Sequence, residues 1–240
     1  MLNVYVLLSV GIIVLVHLGI SKLKFLQGTP RSRWLSFTGG VSAAYVFVNL
    51  IPELVMGQEE IGMAGGIFGS MDKVLYVIAM LGVVLFYVIE RIIQTANSGE
   101  SMPFIDRRRA FALQSAFFAL YSFTIGYAVL PREADDLVNL SLLTATLALH
   151  FVGNDYGLRD DFKELYDRYE RYIISAALVA GLLLSVIITL EIALDYVFIA
   201  FLAGGIILNV LKEELPVARK ARITPFFIGG LVFALLLLLV

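Results

Sequence analysis

Hydrophobic residues in this chain fall in blocks close to twenty residues long, set apart by short clusters of Arg, Lys, Asp and Glu. An apolar block of about 18 or more residues, wound as an α-helix, matches the thickness of a bilayer. The pattern predicts eight spans: Leu2–Ser21, Phe37–Val55, Val74–Thr95, Ala110–Val129, Val138–Tyr156, Tyr172–Ile192, Tyr196–Leu211 and Ile223–Val240. The stretch Met1–Ile20 holds no acidic or basic side chain except His17, and Ile223–Val240 holds none at all. Met1–Ile20 lacks the basic leader and small-residue cleavage site of a signal peptide, so it is read as a retained first span. The expected fold class is therefore an all-α integral membrane protein, one polytopic domain over residues 1–240.

The polar clusters between the blocks add an orientation. Lys22, Lys24, Arg31 and Arg33 follow span one, and Arg91, Arg107, Arg108 and Arg109 separate spans three and four. Arg159, Lys163, Arg168 and Arg171 separate spans five and six, while Lys212, Arg219, Lys220 and Arg222 separate seven and eight. Sixteen of the eighteen basic residues thus lie in alternate loops, and only Lys73 and Arg132 lie in the others. Positive charge is retained on the cytoplasmic side, so the alternation puts both termini outside. The opposite loops are acidic, with Glu59, Glu60, Asp72, Glu133, Asp135 and Asp136. An acidic mouth concentrates cations, although depletion of basic residues alone also leaves such loops acidic.

Composition agrees with the pattern: 60% of residues are hydrophobic, 16% are charged, and mean hydropathy is +0.89. There is no cysteine, which excludes a disulfide framework, a zinc–thiolate site and thiol catalysis. The expected surroundings are the lipid bilayer of a plasma or cell inner membrane. No nucleic-acid partner is expected, and a homodimer is an assembly open to such a bundle.

Candidate chemistry centres on Leu147–Gly157, which reads L-A-L-H-F-V-G-N-D-Y-G. Ionisable groups at membrane depth are costly and face a bundle interior or a wet cavity. His150 and Asn154 are four residues apart and share a helix face, with Asp155 offset by about 100°. With Ser122 of span four they could form one N/O cation site of the kind that suits zinc, iron or manganese. Asp155 at the end of its span, and Asn154 as a cap, also have purely structural readings. His17 is read as a structural hydrogen-bonding group, and Arg159–Arg171 as a mixed-sign cytoplasmic extension of span six held by i,i+4 pairs.

Spans two and seven share a feature. Each has a Gly pair, then an Asn, then a Glu four residues on: Asn49 and Glu53 in one, Asn209 and Glu213 in the other. Running in opposite directions, they suit an inverted repeat of spans one to three and six to eight around spans four and five.

Span two, G-G-V-S-A-A-Y-V-F-V-N-L-I-P-E-L, resembles the second helix of ZIP metal transporters, which reads G-G-V-F-x-A…F-x-H-L-L-P-E. Span seven and its exit, A-G-G-I-I-L-N-V-L-K-E-E-L-P, resemble the closing helices of that family, and the eight-span layout with both termini outside is also similar. The resemblance implies import of a divalent metal ion as cargo, with ligands on spans four and five. Where the family carries H-N-x-x-D-G on its fourth helix, this chain has Tyr121, Ser122, Ile125 and Gly126. Where the family carries H-E-x-P-H-E, it has His150, Phe151, Gly153, Asn154 and Asp155. Asn49 stands for the usual His of span two, and Glu53 is kept.

The expectation is a ZIP-like transporter with a reduced metal site of His150, Asp155, Asn154, Ser122, Asn49 and Glu53, without enzymatic activity. The rival expectation is a non-transporting relative, a membrane scaffold that has lost the binuclear site. An intramembrane hydrolase would need about three strong metal ligands, and the two histidines lie on distant spans.

Overall fold

The computed structural model describes residues 3–23, 26, 32–98, 106–132, 134–188, 190–214 and 222–238. Seven helices are long and apolar enough to cross a membrane: α1 (Val4–Lys22), α2 (Arg33–Ala64), α3 (Val74–Ser98), α4 (Arg107–Val129), α5 (Leu137–Asp161), α6 (Lys163–Ile187) and α7 (Ile192–Glu214). A shorter apolar helix, α8 (Ile223–Leu238), follows. No strand occurs among the described residues. The architecture is that of an all-α, multi-pass membrane protein.

Short polar residues set where the helices begin. The side chains of Asn3, Ser32, Asp106 and Asp136 accept hydrogen bonds from backbone N–H groups of the first turns of α1, α2, α4 and α5. Each satisfies donors that a helix end leaves without an intrahelical partner. α2 is longer than its apolar block predicts. It continues to Ala64 and ends where Gly65 and Gly66 take φ of 76° and 77°, which a side-chain-bearing residue adopts poorly.

The burial pattern is inverted relative to a soluble protein. Leu15, Phe47, Ile187 and Leu238 point outward at 66% exposure or more. His17, Ser42, Gln114, His150, Asn154, Asp155, Glu170 and Asn209 are buried. Apolar side chains face outward, where lipid would lie, and most of the buried polar ones find partners inside.

Three helix pairs close through reciprocal glycine contacts. A Cβ on Gly40 of α2 would lie 2.0 Å from the Phe226 carbonyl of α8, and one on Gly229 would lie 2.3 Å from the Phe37 carbonyl. On α7 and α3, a Cβ on Gly204 would lie 2.0 Å from the Ala79 carbonyl oxygen and one on Gly82 would lie 2.3 Å from that of Phe201. On α4 and α6, a Cβ on Gly126 or Gly181 would lie 2.1 Å from the carbonyl oxygen of Leu178 or Phe123 respectively. Only hydrogen fits at these crossings, so the backbones touch. α1 packs on α5 without such a glycine, and the Thr144 hydroxyl donates to Ser9 Oγ at 2.7 Å there.

Wide π turns interrupt α2 at Val46–Leu50, α4 at Ile125–Val129 and α6 at Tyr166–Glu170. Such bulges redirect side chains and recur beside functional sites. All three lie next to the buried polar residues.

Candidate functional site

The polar residues form a column along α5. At one end, α2 and α5 line a cavity of about 430 Å³ whose polar walls are Asn49, Glu53, Glu60, Asn139 and Thr146, with Tyr45 beside them. Beneath it, and still bordered by Tyr45 and Glu53, the apolar side chains Leu50, Ile125, Leu147, Leu202 and Ile206 close around a void of only about 20 Å³. One helical turn past Thr146, roughly 6 Å along α5, lies His150.

His150 is 6% exposed and both ring nitrogens are engaged. Ser42 Oγ of α2 lies 3.3 Å from Nδ1, and the Tyr121 hydroxyl of α4 lies 3.0 Å from Nε2. Ser42 also donates to the Thr38 carbonyl at 3.0 Å. A neutral imidazole protonated on Nδ1 satisfies all three bonds at once: it donates to Ser42 and accepts from Tyr121. Tyr121, which stands where the ZIP pattern has a histidine, therefore serves as a hydrogen-bond partner of the histidine on the next helix.

A second cluster begins one turn further on. Asn209 of α7 donates to Asn154 Oδ1 at 3.2 Å, and Asn154 donates to Asp155 Oδ1 at 3.4 Å. The other carboxylate oxygen of Asp155 lies 2.6 Å from His17 Nδ1 and accepts from the Tyr166 hydroxyl at 2.9 Å. Tyr166 also lies 3.2 Å from the His17 carbonyl. Asp155 and His17 are both 0% exposed, so the carboxylate does not face water at its helix end. The 100° offset along α5 turns Asp155 toward α1 and α6 and away from His150.

The sequence-predicted site residues thus separate into three levels. Asn49 and Glu53 line the cavity, His150 lies below the apolar layer, and Asn154 and Asp155 lie beyond it. Ser122 is buried on α4, 1% exposed, with no hydrogen bond to His150 or Asp155. Among the described residues, no group of three or more His, Cys, Asp or Glu side chains is placed to hold a metal ion. Glu213 lies outside the described side chains.

Tyr166 and Glu170 are members of the column that a reading of Arg159–Arg171 as a solvated extension passes over. α5 runs to Asp161, the chain turns at Phe162, and α6 starts at Lys163. The junction is clamped by Arg159, whose Nε and Nη2 reach the two Asp167 oxygens at 2.7 and 2.8 Å. Tyr166 and Glu170 are 0% exposed and continue the buried line Ile174, Leu178 and Leu182 at four-residue spacing. That spacing was the available signal.

Comparisons with protein-family models, with curated proteins and with solved structures found no significant match for this chain.

Proposed function

We propose that the chain is a ZIP-like membrane transporter that carries a divalent cation of the zinc, iron or manganese class inward by alternating access. The observation that carries this reading is the cavity with Glu53, Glu60, Asn49 and Asn139, which stops one turn short of buried His150. Its acidic wall attracts cations, and His150 with the polar groups below offers N and O donors of moderate strength. The apolar layer of Ile125, Leu147, Leu202 and Ile206 then acts as the gate. A weak site is appropriate to transport, because tight binding would prevent release.

In this reading α8 completes an eight-span topology with both termini outside, so that the cavity opens outward. The glycine crossings support an inverted repeat. Phe37 and Gly40 of α2 meet α8 as Phe201 and Gly204 of α7 meet α3, each pair 164 residues apart. Phe226 and Gly229 of α8 correspond in the same way to Ala79 and Gly82 of α3. This register makes Tyr45 the counterpart of Asn209, one turn from the register of the matching Asn and Glu pairs. Rocking of one repeat against the other supplies the access change.

A second reading, a non-transporting scaffold, is favoured by a different observation: both His150 nitrogens and both Asp155 oxygens already have protein partners. Uptake into proteoliposomes with a panel of Zn²⁺, Fe²⁺, Mn²⁺ and Co²⁺ separates the two. Transport is expected to show saturable uptake lost in His150→Ala. Wild-type vesicles that neither bind nor accumulate any of the four ions would refute transport and leave the scaffold reading.

A further inference from the structure

We infer that Glu170, with Gln114 and Ser115, forms a proton-binding site inside the membrane, separate from the His150 level. Glu170 lies in the π turn of α6, and its side chain is 0% exposed. Gln114 of α4, also 0% exposed, donates through Nε2 to Glu170 Oε2 at 3.3 Å. Ser115 lies beside the same carboxyl. Three buried oxygens at this place have no hydrogen-bond partner: Glu170 Oε1, Gln114 Oε1 and Ser115 Oγ.

The geometry leaves the Glu170 carboxyl poorly served as an anion. An ionised Glu170 leaves Oε1 and Gln114 Oε1 as buried acceptors with no donor on them, because neither the Ser115 hydroxyl nor the second amide hydrogen of Gln114 is placed in a bond to either. It also leaves a buried carboxylate with no Lys or Arg within ion-pair distance among the described residues. The charged groups that bear on it are the Asp155 and Asp161 carboxylates of α5, and the phenol of Tyr166 on its own helix is the neutral one. Arg171, the next residue of α6, directs its Nη2 to the Tyr172 hydroxyl and forms no ion pair with Glu170 among the described residues. An unpaired buried carboxylate costs many kcal/mol and takes up a proton instead. One proton on Glu170 Oε1 removes the charge and turns a buried orphan acceptor into a donor.

The geometry therefore assigns Glu170 as a neutral carboxyl that binds one proton reversibly. As a coupling group, with its proton moving when the cation moves, it rests on the transport reading. As a proton site it does not, and the experiment keeps the two apart. Infrared spectra of the full-length protein in liposomes at neutral pH are expected to show the C=O stretch of a protonated carboxyl that shifts down in D₂O. The band should vanish in Glu170→Gln and change frequency in Gln114→Ala. A wild-type spectrum without the band, or a band unchanged in both variants, overturns the proton site. Should Glu170→Gln fail to fold, the wild-type band and its response to Gln114→Ala decide. In vesicles that transport, an imposed pH gradient should change cation uptake in wild type and leave Glu170→Gln unaffected. Equal gradient dependence in the two would overturn the coupling role alone.

Discussion

Gly204→Ala should be among the most damaging single-methyl additions in the bundle. The new Cβ would stand 2.0 Å from the Ala79 carbonyl oxygen and 2.7 Å from the Val83 nitrogen. Both are backbone atoms of α3, so no rotamer change relieves the overlap. Reaching ordinary contact near 3.4 Å requires the two helices to part by about 1.4 Å. If α7 moves, Asn209 goes with it, roughly 7.5 Å further along the same helix. Its 3.2 Å bond to Asn154 then exceeds bonding distance. If α3 moves, the edge-on packing of Phe86 against Phe117, with centroids 5.2 Å apart, is disturbed instead.

Overpacking of this kind costs about 1–3 kcal/mol, and a lost buried hydrogen bond adds about 1 kcal/mol. The expected loss is therefore about 2–4 kcal/mol. Gly11→Ala on α1 is the control, since its Cβ meets nothing within 4 Å. It should be neutral or slightly stabilising, by up to about 1 kcal/mol, because alanine is the better helix former. Reversible unfolding in mixed micelles, followed by circular dichroism, measures both. Gly82→Ala, on the reciprocal contact, should match Gly204→Ala, and Gly40→Ala and Gly229→Ala should behave alike. A Gly204→Ala protein within about 0.5 kcal/mol of wild type would refute the crossing as a backbone contact.

The other predictions concern the polar column. Tyr166→Phe removes one hydrogen that serves Asp155 and should cost about 1–3 kcal/mol in the same assay. Asp155→Leu should cost about 3–5 kcal/mol, while a double change of His17 and Asp155 to Leu should cost less than the sum of the two single changes, as for a buried pair; strict additivity would argue against the pairing. Tyr121→Phe frees His150 Nε2, so on the transport reading it should tighten Co²⁺ or Zn²⁺ binding by about fivefold, read by equilibrium binding, and no change would count against a metal at that nitrogen. Arg159→Ala breaks a part-exposed, two-pronged pair with Asp167 and should cost no more than about 1 kcal/mol, less at high salt.

Element existence was legible because lipid imposes a simple rule: every span must be a long apolar helix, and the basic residues mark its ends. Boundaries were less legible where a different force sets them. α2 overruns its apolar block by nine residues at the far end, from Val55 to Ala64, because only Gly65 and Gly66 stop it. The candidate residues on α5 were legible for the same reason as the spans, since His150, Asn154 and Asp155 are polar in an apolar block. Their partners were not. Ser42, Tyr121, Asn209 and Tyr166 come from four other helices, and nothing local in the sequence says which will meet α5. Tyr166 and Glu170 were hidden by their neighbours: Asp167, Arg168 and Arg171 make the segment look solvated, although every fourth residue faces inward.

The same hydrogen bonds decide how strongly the two functional readings compete. A cation that reaches His150 Nε2 must displace the Tyr121 hydroxyl, and one that reaches Asp155 must displace the Asn154 amide, the Tyr166 hydroxyl or His17. Each exchange costs about 1 kcal/mol, or about a factor of five in affinity, before the ion has lost any of its water. A transporter can use that cost, because the occupied and empty states then differ in which helices are tied together. With the cation absent, Tyr121 and Ser42 bind α4 and α2 to α5; with it on Nε2, the Tyr121 tie is released while the Nδ1–Ser42 bond stays, and the gate residues Ile125 of α4 and Leu147 of α5 are free to part. A scaffold gains only the static bonds. The readings therefore diverge on Tyr121→Phe in the absence of metal: a scaffold should lose stability and nothing else, whereas a transporter should also shift toward the conformation that the bound cation stabilises, and Ser42→Ala, which removes a bond the cation leaves in place, should not cause that shift.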